Sequence, residues 1–226
     1  MNADKQPADA RKKVLIVDDH PLLREGLGKV INRQDDLVMC GEASDAPGAL
    51  AAIVKCRPDV VIVDISLDEG SGLDLIKDLH VRYPKLPVLA LSMHHEDLYA
   101  DRALRAGASG YVMKREPASA VIEALRKVLS GQMAVSENIV NRLLSRRVQG
   151  EQPTGLSPTE ALSDRELEVY CCLGAGLGTR EIAAKLRIAV STVETYRVSI
   201  KHKLGFKSAT ELVYHAAQFV VAAPGD

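Results

Sequence analysis

The sequence predicts a five-stranded, doubly wound parallel α/β sheet followed by a small all-α unit built on two helices and a tight turn. Three observations carry that prediction. From residue 13 to about 130, strand-like runs alternate with segments of helical period, the order of a parallel sheet covered by helices on both faces. The first run, residues 14–17, is wholly aliphatic with no alternation, as a strand buried on both sides must be. After Ser163 no strand signal remains and only helical periods follow.

The elements follow in order. The strands are read as "VLIVD" (14–18), "LVMCGEA" (37–43), "VVIVD" (60–64), "PVLALS" (87–92) and "GYVMK" (110–114). The helices between them span Pro21 to Ile31, Ala46 to Lys55, Leu73 to His80, Glu96 to Ala106 and Pro117 to Ser130. Pro21, Pro47 and Pro117 sit where a first helical turn tolerates proline. "SENIVNRLLSRR" (136–147) has apolar residues at helical spacing and reads as a linker helix able to pack on either domain. "VQGEQPTGLSPTE" (148–160) is a Gly/Pro/Ser/Thr-rich linker. Four more helices fit Asp164 to Leu173, Thr179 to Leu186, Ser191 to Leu204 and Ser208 to about Ala222, with Ser191 as an N-cap. The division expected is a disordered N-terminus over 1–12, a first domain over 13–131, a linker with a helix over 132–160 and a helical domain over 161–226.

With 226 residues, 46% hydrophobic and 26% charged, the chain has enough apolar material for two cores. No apolar run approaches the ~18 residues needed to cross a bilayer, and the polar start "MNADKQPADARKK" lacks a signal core, so a cytoplasmic protein is expected. Cys40, Cys56, Cys171 and Cys172 have neither zinc-site spacing nor a disulfide framework and read as reduced thiols. Residues 156–226 carry 8 Lys+Arg against 8 Asp+Glu, so any contact with nucleic acid there uses a local face rather than a basic domain.

In sheets of this kind ligands gather beyond the carboxyl ends of the strands. That edge collects Asp18 and Asp19 after the first strand, Asp64 at the end of the third, Ser92 of the fourth and Lys114 of the fifth. Facing carboxylates repel unless a cation sits among them, and oxygen-only donors suit Mg²⁺. With a nearby ammonium such a site supports phosphoryl transfer, in which a carboxylate can be the nucleophile. Asp64 is the best nucleophile candidate, because it ends the central strand alone beside the loop "ISLDEGSG" (65–72). Taken singly, each Asp also reads as a turn residue or helix N-cap, Lys114 as a solvated strand end and Ser92 as a cap for the next helix. The joint pattern on four strand ends favours function.

Residues 13–130 resemble the receiver domain of two-component response regulators. The likeness rests on "DD" (18–19), "VVIVDISLDEGSGLDLI" (60–76), "LALSMH" (89–94) and "RAGASGYVMK" (105–114). It implies that Asp64 accepts a phosphoryl group from a histidine kinase, and that Mg²⁺ (or Mn²⁺) is held by Asp19, by Asp18 mainly through water, by Asp64 and by the Ser66 backbone carbonyl. Ser92 and Lys114 would read the phosphoryl group, and Tyr111 falls at the aromatic switch position; without the resemblance it is equally a half-buried strand tyrosine. The family usually has Met-Pro where this chain has Leu67-Asp68, which leaves the acceptor in place but opens the rate of self-dephosphorylation.

"LSDRELEV", "TREIAAKL", "STVETYR" and "KLG" resemble, in order and spacing, the LuxR-type helix-turn-helix of the NarL/FixJ class. Spacing alone buries Val193, Ile200, Leu204 and part of Tyr196, leaving Glu194, Thr195, Arg197, Val198 and Lys201 outward, which as a bare pattern is also an ordinary solvated face. The resemblance implies that Glu194, Thr195 and Val198 face base edges, and that Arg180, Thr192, Arg197, Lys201 and Lys203 contact phosphates. Many relatives carry Lys at the place of Glu194 and His at that of Tyr196. Double-stranded DNA, a cognate histidine kinase, a second copy of the chain when active and RNA polymerase are the implied partners, with no membrane role. The last helix, with Leu212, Val213, Ala216, Ala217 and Val220, is equally a dimer face or a core face of its own domain.

The expected role is that of a phosphoryl acceptor rather than an enzyme, with self-dephosphorylation the only turnover. Two rivals stand beside it. A Mg²⁺ phosphohydrolase of the haloacid dehalogenase type would carry a second Asp two residues after the nucleophile, where this chain has Ser66. A DNA binder with a never-phosphorylated docking module would not need the full acidic set.

Overall fold

The computed structural model describes residues 11–67, 71–93, 96–141 and 161–222. The chain divides after Ser136 into two compact units. The first runs β1 (Lys12–Val17), α1 (Pro21–Asn32), β2 (Leu37–Ala43), α2 (Ala46–Cys56), β3 (Val60–Asp64), α3 (Gly72–Arg82), β4 (Val88–Ser92), α4 (Glu96–Ala106), β5 (Gly110–Met113) and α5 (Ala118–Leu129). Its strands form one parallel sheet in the order β2-β1-β3-β4-β5, with the crossover helices on both faces. This is the predicted architecture.

The aliphatic runs explain it. Every residue of β3 and β4 is buried, as are Val14 to Val17 of β1. One face packs Val14, Ile16, Ile62, Leu89, Leu91 and Val112 against Leu27 and Ile31 of α1 and Val121, Ile122, Leu125 and Val128 of α5. Each such side chain removed from water contributes about 1.5–3 kcal/mol. That packing fixes the strand ends, and register then aligns them: Val17 pairs with Val63, Asp64 with Leu91 and Ser92 with Met113. The polar residues at these ends therefore lie along one edge.

The boundaries differ in detail, for local reasons. β1 begins at Lys12, whose N–H donates to the Asp36 carbonyl at 2.8 Å while the Lys13 N–H donates to Asp59 at 2.8 Å. Pro117 is the N-cap of α5 and not part of its first turn, because its ψ of 149° is extended. Asp45 caps α2 by accepting the Gly48 N–H at 2.7 Å.

In the second unit residues 137–141 are helical (α6); the rest of the expected linker helix and the 148–160 linker lie outside the described residues. The remaining elements are α7 (Asp164–Gly174), α8 (Thr179–Lys185), α9 (Val190–Lys203) and α10 (Ala209–Ala222). Leu167, Val169, Tyr170, Leu173, Ile182, Val193, Ile200, Leu212 and Ala216 are buried in it. Leu204 and Tyr196 are half-buried. α10 packs chiefly on α7, with Tyr170 and Phe219 rings 5.4 Å apart. Leu212 and Ala216 thus serve their own unit, while Val213 and Tyr214 stay exposed. The expected Ser191 cap is corrected: α9 starts at Val190 with Ala189 as N-cap, because the Ala189 carbonyl already accepts from Thr192 and Val193 at 2.9 and 3.2 Å.

Candidate functional site

The turn after β1 is shaped around Asp18. Its backbone N–H donates to the Ala43 carbonyl at 3.1 Å, Arg24 donates to its carbonyl at 2.6 Å, and the His20 N–H donates to its Oδ1 at 2.8 Å. Those bonds turn the carboxylate toward β3. Ligand atoms of Asp18, Asp19, His20 and Asp64 lie within 4.8 Å of one another. Lys114, one residue past β5, is 5% exposed and places Nζ 2.7 Å from both Asp18 Oδ2 and Asp64 Oδ2. The Ser66 N–H donates to Asp64 Oδ1 at 3.1 Å.

The electrostatics follow from burial. Asp64 is 0% exposed. Desolvation pushes its carboxyl up to about 6, Asp18 pushes the same way, and Lys114 and the Ser66 N–H oppose them without prevailing. For Lys114, burial alone would lower the ammonium; Asp64 and Asp18 outweigh it and hold the group above its usual value. Asp18 and Asp64 thus share one ammonium, while Asp19 lies against His20. Hard oxygen donors this close and under-neutralised fit a divalent cation of the Mg²⁺ class.

Ser92 is buried, and the Lys114 N–H donates to the Ser92 carbonyl at 2.6 Å, tying the ends of β4 and β5 together. Tyr111 is 5% exposed, and desolvation raises its phenol above the ordinary value. The structure therefore brings Asp18, Asp19, Asp64, Ser66, Ser92, Tyr111 and Lys114 to one pocket. Leu67 is buried; Asp68 lies outside the described residues.

Residues that the sequence reading missed complete the pocket. His20 places Nδ1 2.7 Å from Asp19 Oδ1 and 3.1 Å from Asp18 Oδ1, and the signal was its place directly after the acidic pair. Gly72 closes the loop after β3: its N–H donates to the Ile65 carbonyl at 2.9 Å, and a Cβ there would lie 1.9 Å from the Asp64 carbonyl oxygen. Only glycine admits that approach.

In the helical unit α8, a four-residue bend and α9 form a helix-turn-helix. Arg180, Glu194, Thr195 and Val198 are exposed, and Thr192, Arg197 and Lys201 half-exposed. Three of these groups are tied locally. Arg197 donates to Thr179 at 2.6 Å and to Glu194 Oε1 at 3.1 Å, Thr179 donates to the same Oε1 at 2.8 Å, and Thr195 donates to the Ser191 carbonyl at 3.0 Å. Lys203 is exposed but also engaged within its own unit. Its ammonium donates to the buried Glu166 at 2.6 Å, so it ties α9 to α7. Glu166 also accepts from Ser199 at 2.6 Å and from the Ser163 N–H at 2.6 Å.

Residues 14–126 match the model of the response regulator receiver domain, and residues 160–216 that of the bacterial regulatory proteins of the luxR family. The oxygen regulatory protein NreC of Staphylococcus epidermidis (strain ATCC 12228) is 34% identical over 209 residues, covering 90% of this chain and 96% of NreC. RcsB of Salmonella enterica serovar Typhimurium, solved on promoter rprA with phosphomimetic BeF3−, is 26% identical, with TM-score 0.59 over 92% of this chain and 98% of RcsB. A structure of two RcsB dimers bound to two parallel DNAs is 25% identical, with TM-score 0.54 over 95% of this chain and 100% of that one. Among the described residues no helix is long and apolar enough to cross a membrane.

Proposed function

The chain belongs to the response regulators that join a receiver domain to a LuxR-type DNA-binding domain, and from that premise we propose that Asp64 is the phosphoryl acceptor controlling binding of α9 to DNA. Such a protein is a phosphorylation-controlled transcription regulator. The observation that carries the assignment is the convergence of Asp18, Asp19, Asp64 and Lys114, from three separate strand ends, on one buried pocket.

An oxygen of Asp64 attacks the phosphorus of a kinase phosphohistidine. The O–P bond of an acyl phosphate forms, the P–N bond breaks, and the imidazole leaves with its electron pair. Lys114 is already charged and within reach of the phosphoryl oxygens, and Ser92 offers its hydroxyl to one of them. Asp18, Asp19, Asp64 and the Ser66 carbonyl would hold Mg²⁺ (or Mn²⁺), which when bound neutralises charge on the transferring group. Leu67-Asp68 stands where the family usually has Met-Pro, and this exchange sets the acyl-phosphate lifetime.

On the DNA side α9 lies in a major groove, with Glu194, Thr195 and Val198 toward base edges and Arg180, Thr192, Arg197 and Lys201 toward phosphates. A helical domain of balanced charge displaces few counterions, so two copies on adjacent half-sites bind far better than one. That reading agrees with the dimeric DNA complexes of RcsB. The protein acts in the cytoplasm, with a histidine kinase upstream and RNA polymerase as a further partner.

The test is incubation of the full chain with acetyl phosphate and Mg²⁺, followed by a phosphate-affinity gel and sedimentation. Wild type is expected to shift on the gel and to associate, and Asp64→Asn to do neither. Equal behaviour of the two proteins would overturn the assignment.

A further inference from the structure

Three polar side chains tie the start of α8 to the face of α9 that the function above turns toward DNA. Thr179 opens α8, and Glu194 and Arg197 stand three residues apart on α9. The Thr179 hydroxyl donates to Glu194 Oε1 at 2.8 Å. Arg197 Nη1 donates to the Thr179 hydroxyl oxygen at 2.6 Å and to the same Oε1 at 3.1 Å. The triangle is closed. Both bonds to Glu194 end on Oε1, and Oε2 takes part in neither. The Arg197 side chain is 23% exposed and that of Glu194 52%, so the carboxylate is held from one side and open on the other.

An exposed glutamate on a helix samples several rotamers, and a ligand that needs one of them must overcome that entropy. Here Thr179 and Arg197 hold the carboxylate before any ligand arrives, which removes much of that cost. An ionised carboxylate can only accept. In the major groove guanine shows two acceptors, thymine an acceptor and a methyl, and adenine a donor beside an acceptor. Cytosine alone offers an amino donor with no acceptor of its own. A fixed, acceptor-only oxygen therefore favours cytosine and is repelled by guanine.

We propose that Thr179 is a positioning residue for base specificity: with Arg197 it holds Glu194 so that Oε2 accepts from the N4 amino group of a cytosine. This positioning deepens the DNA-binding function proposed above and rests on it. Thr179 touches neither base nor phosphate and acts only through Glu194. Arg197 joins the triangle through Nη1, which leaves its other nitrogens for a phosphate.

The experiment selects bound sequences from a library of randomised duplexes, using the full chain treated with acetyl phosphate and Mg²⁺. The wild type is expected to prefer cytosine about tenfold at one position of each half-site. Glu194→Gln should move that preference to adenine, whose N6 and N7 an amide matches. Thr179→Val keeps the shape of the side chain and removes its hydroxyl, and should cut the cytosine preference to about twofold. Preferences at the other positions should stay, and Thr179→Ser should restore the lost one. A salt titration separates positioning from phosphate contact. Thr179→Val should leave the slope of log affinity against log salt unchanged, whereas loss of a phosphate contact lowers it by about 1. Thr179→Val weakening every sequence alike, or Thr179→Ser behaving like Thr179→Val, overturns the positioning. A selected sequence that is the same for wild type and Glu194→Gln overturns it alone and leaves DNA binding standing. If the wild type selects no sequence at all, the positioning and the DNA-binding function fall together.

Discussion

Asp64 in the sheet unit and Glu166 in the helical unit are both buried carboxylates that receive a lysine ammonium, from Lys114 at 2.7 Å and Lys203 at 2.6 Å. Their surroundings drive them apart. Around Asp64, desolvation and the neighbouring Asp18 prevail, and the carboxyl rises to about 6. Around Glu166, desolvation also pushes upward, but hydrogen bonds from Lys203, Ser199 and Ser163 overcome it and bring the carboxyl down to about 2. Around Asp64 one ammonium faces both Asp18 and Asp64, and the carboxyl stays raised, which suits a cation and an incoming phosphoryl group. The Glu166 pocket is saturated and works as a staple joining α7 to α9. A buried acid–lysine pair is therefore no sign of function by itself; the balance of donors against acceptors decides.

The largest effect that this contrast predicts falls on the staple. Glu166→Ala leaves the Ser163 N–H, the Ser199 hydroxyl and the Lys203 ammonium without the acceptor they share, a loss of about 3 kcal/mol. Urea unfolding followed by helicity should show the helical unit melting at lower denaturant. Acid gives a second route to the same number. The Glu166 carboxyl lies lower in the folded chain than its ordinary 4.5, so its stabilisation is complete above that pH. It is lost as pH falls from 4.5 toward about 2. The gap in urea midpoint between wild type and Glu166→Gln should accordingly be widest near neutrality and close as the pH drops through that window. A gap independent of pH would mean that Glu166 is not the staple.

How much of this was legible in the sequence differs between the regions for the same reason. The sheet, its strand ends and the acceptor pocket announce themselves because unbroken aliphatic runs such as residues 14–17 can only be buried strands, and acidic residues at their ends stand out against them. The staple did not show. Its near half, Ser163 with Glu166 three residues on, is a readable capping box. Its far half, Lys203, is 37 residues away and joins only through the packing of α7 on α9. The resemblance gives Lys203 a phosphate contact, and nothing in the local spacing points to Glu166 as its neighbour. The Ser191 cap failed, since a serine at a helix start is a weak signal when the backbone has already turned one residue earlier at Val190.

Gly72 sharpens the receiver side. Gly72→Ala would set a methyl 1.9 Å from the Asp64 carbonyl oxygen and 2.7 Å from Ile65 Cα, both backbone atoms with no rotamer to yield. A cost of about 2 kcal/mol is expected, with the acceptor carboxylate displaced from Lys114. Slower phosphate uptake from acetyl phosphate together with a lowered melting temperature would bear this out. Destabilisation with an unchanged uptake rate would separate the loop from the chemistry.

The smallest effect is the most discriminating, because it should have the opposite sign. Asp64→Asn keeps an oxygen to accept from Ser66 or Lys114 and removes the charge that faces Asp18. Measured in chelator, so that no cation compensates the wild type, the variant should be more stable by about 1 kcal/mol, although it has lost the nucleophile. Glu166→Gln, the same carboxylate-to-amide exchange in the other unit, should lose stability under identical conditions, because every donor around it is matched to a full negative charge. Two urea melts therefore test the comparison directly. If both substitutions destabilise alike, Lys114 suffices for both Asp18 and Asp64, and the fit of their pocket to a cation and a phosphoryl group loses its physical basis.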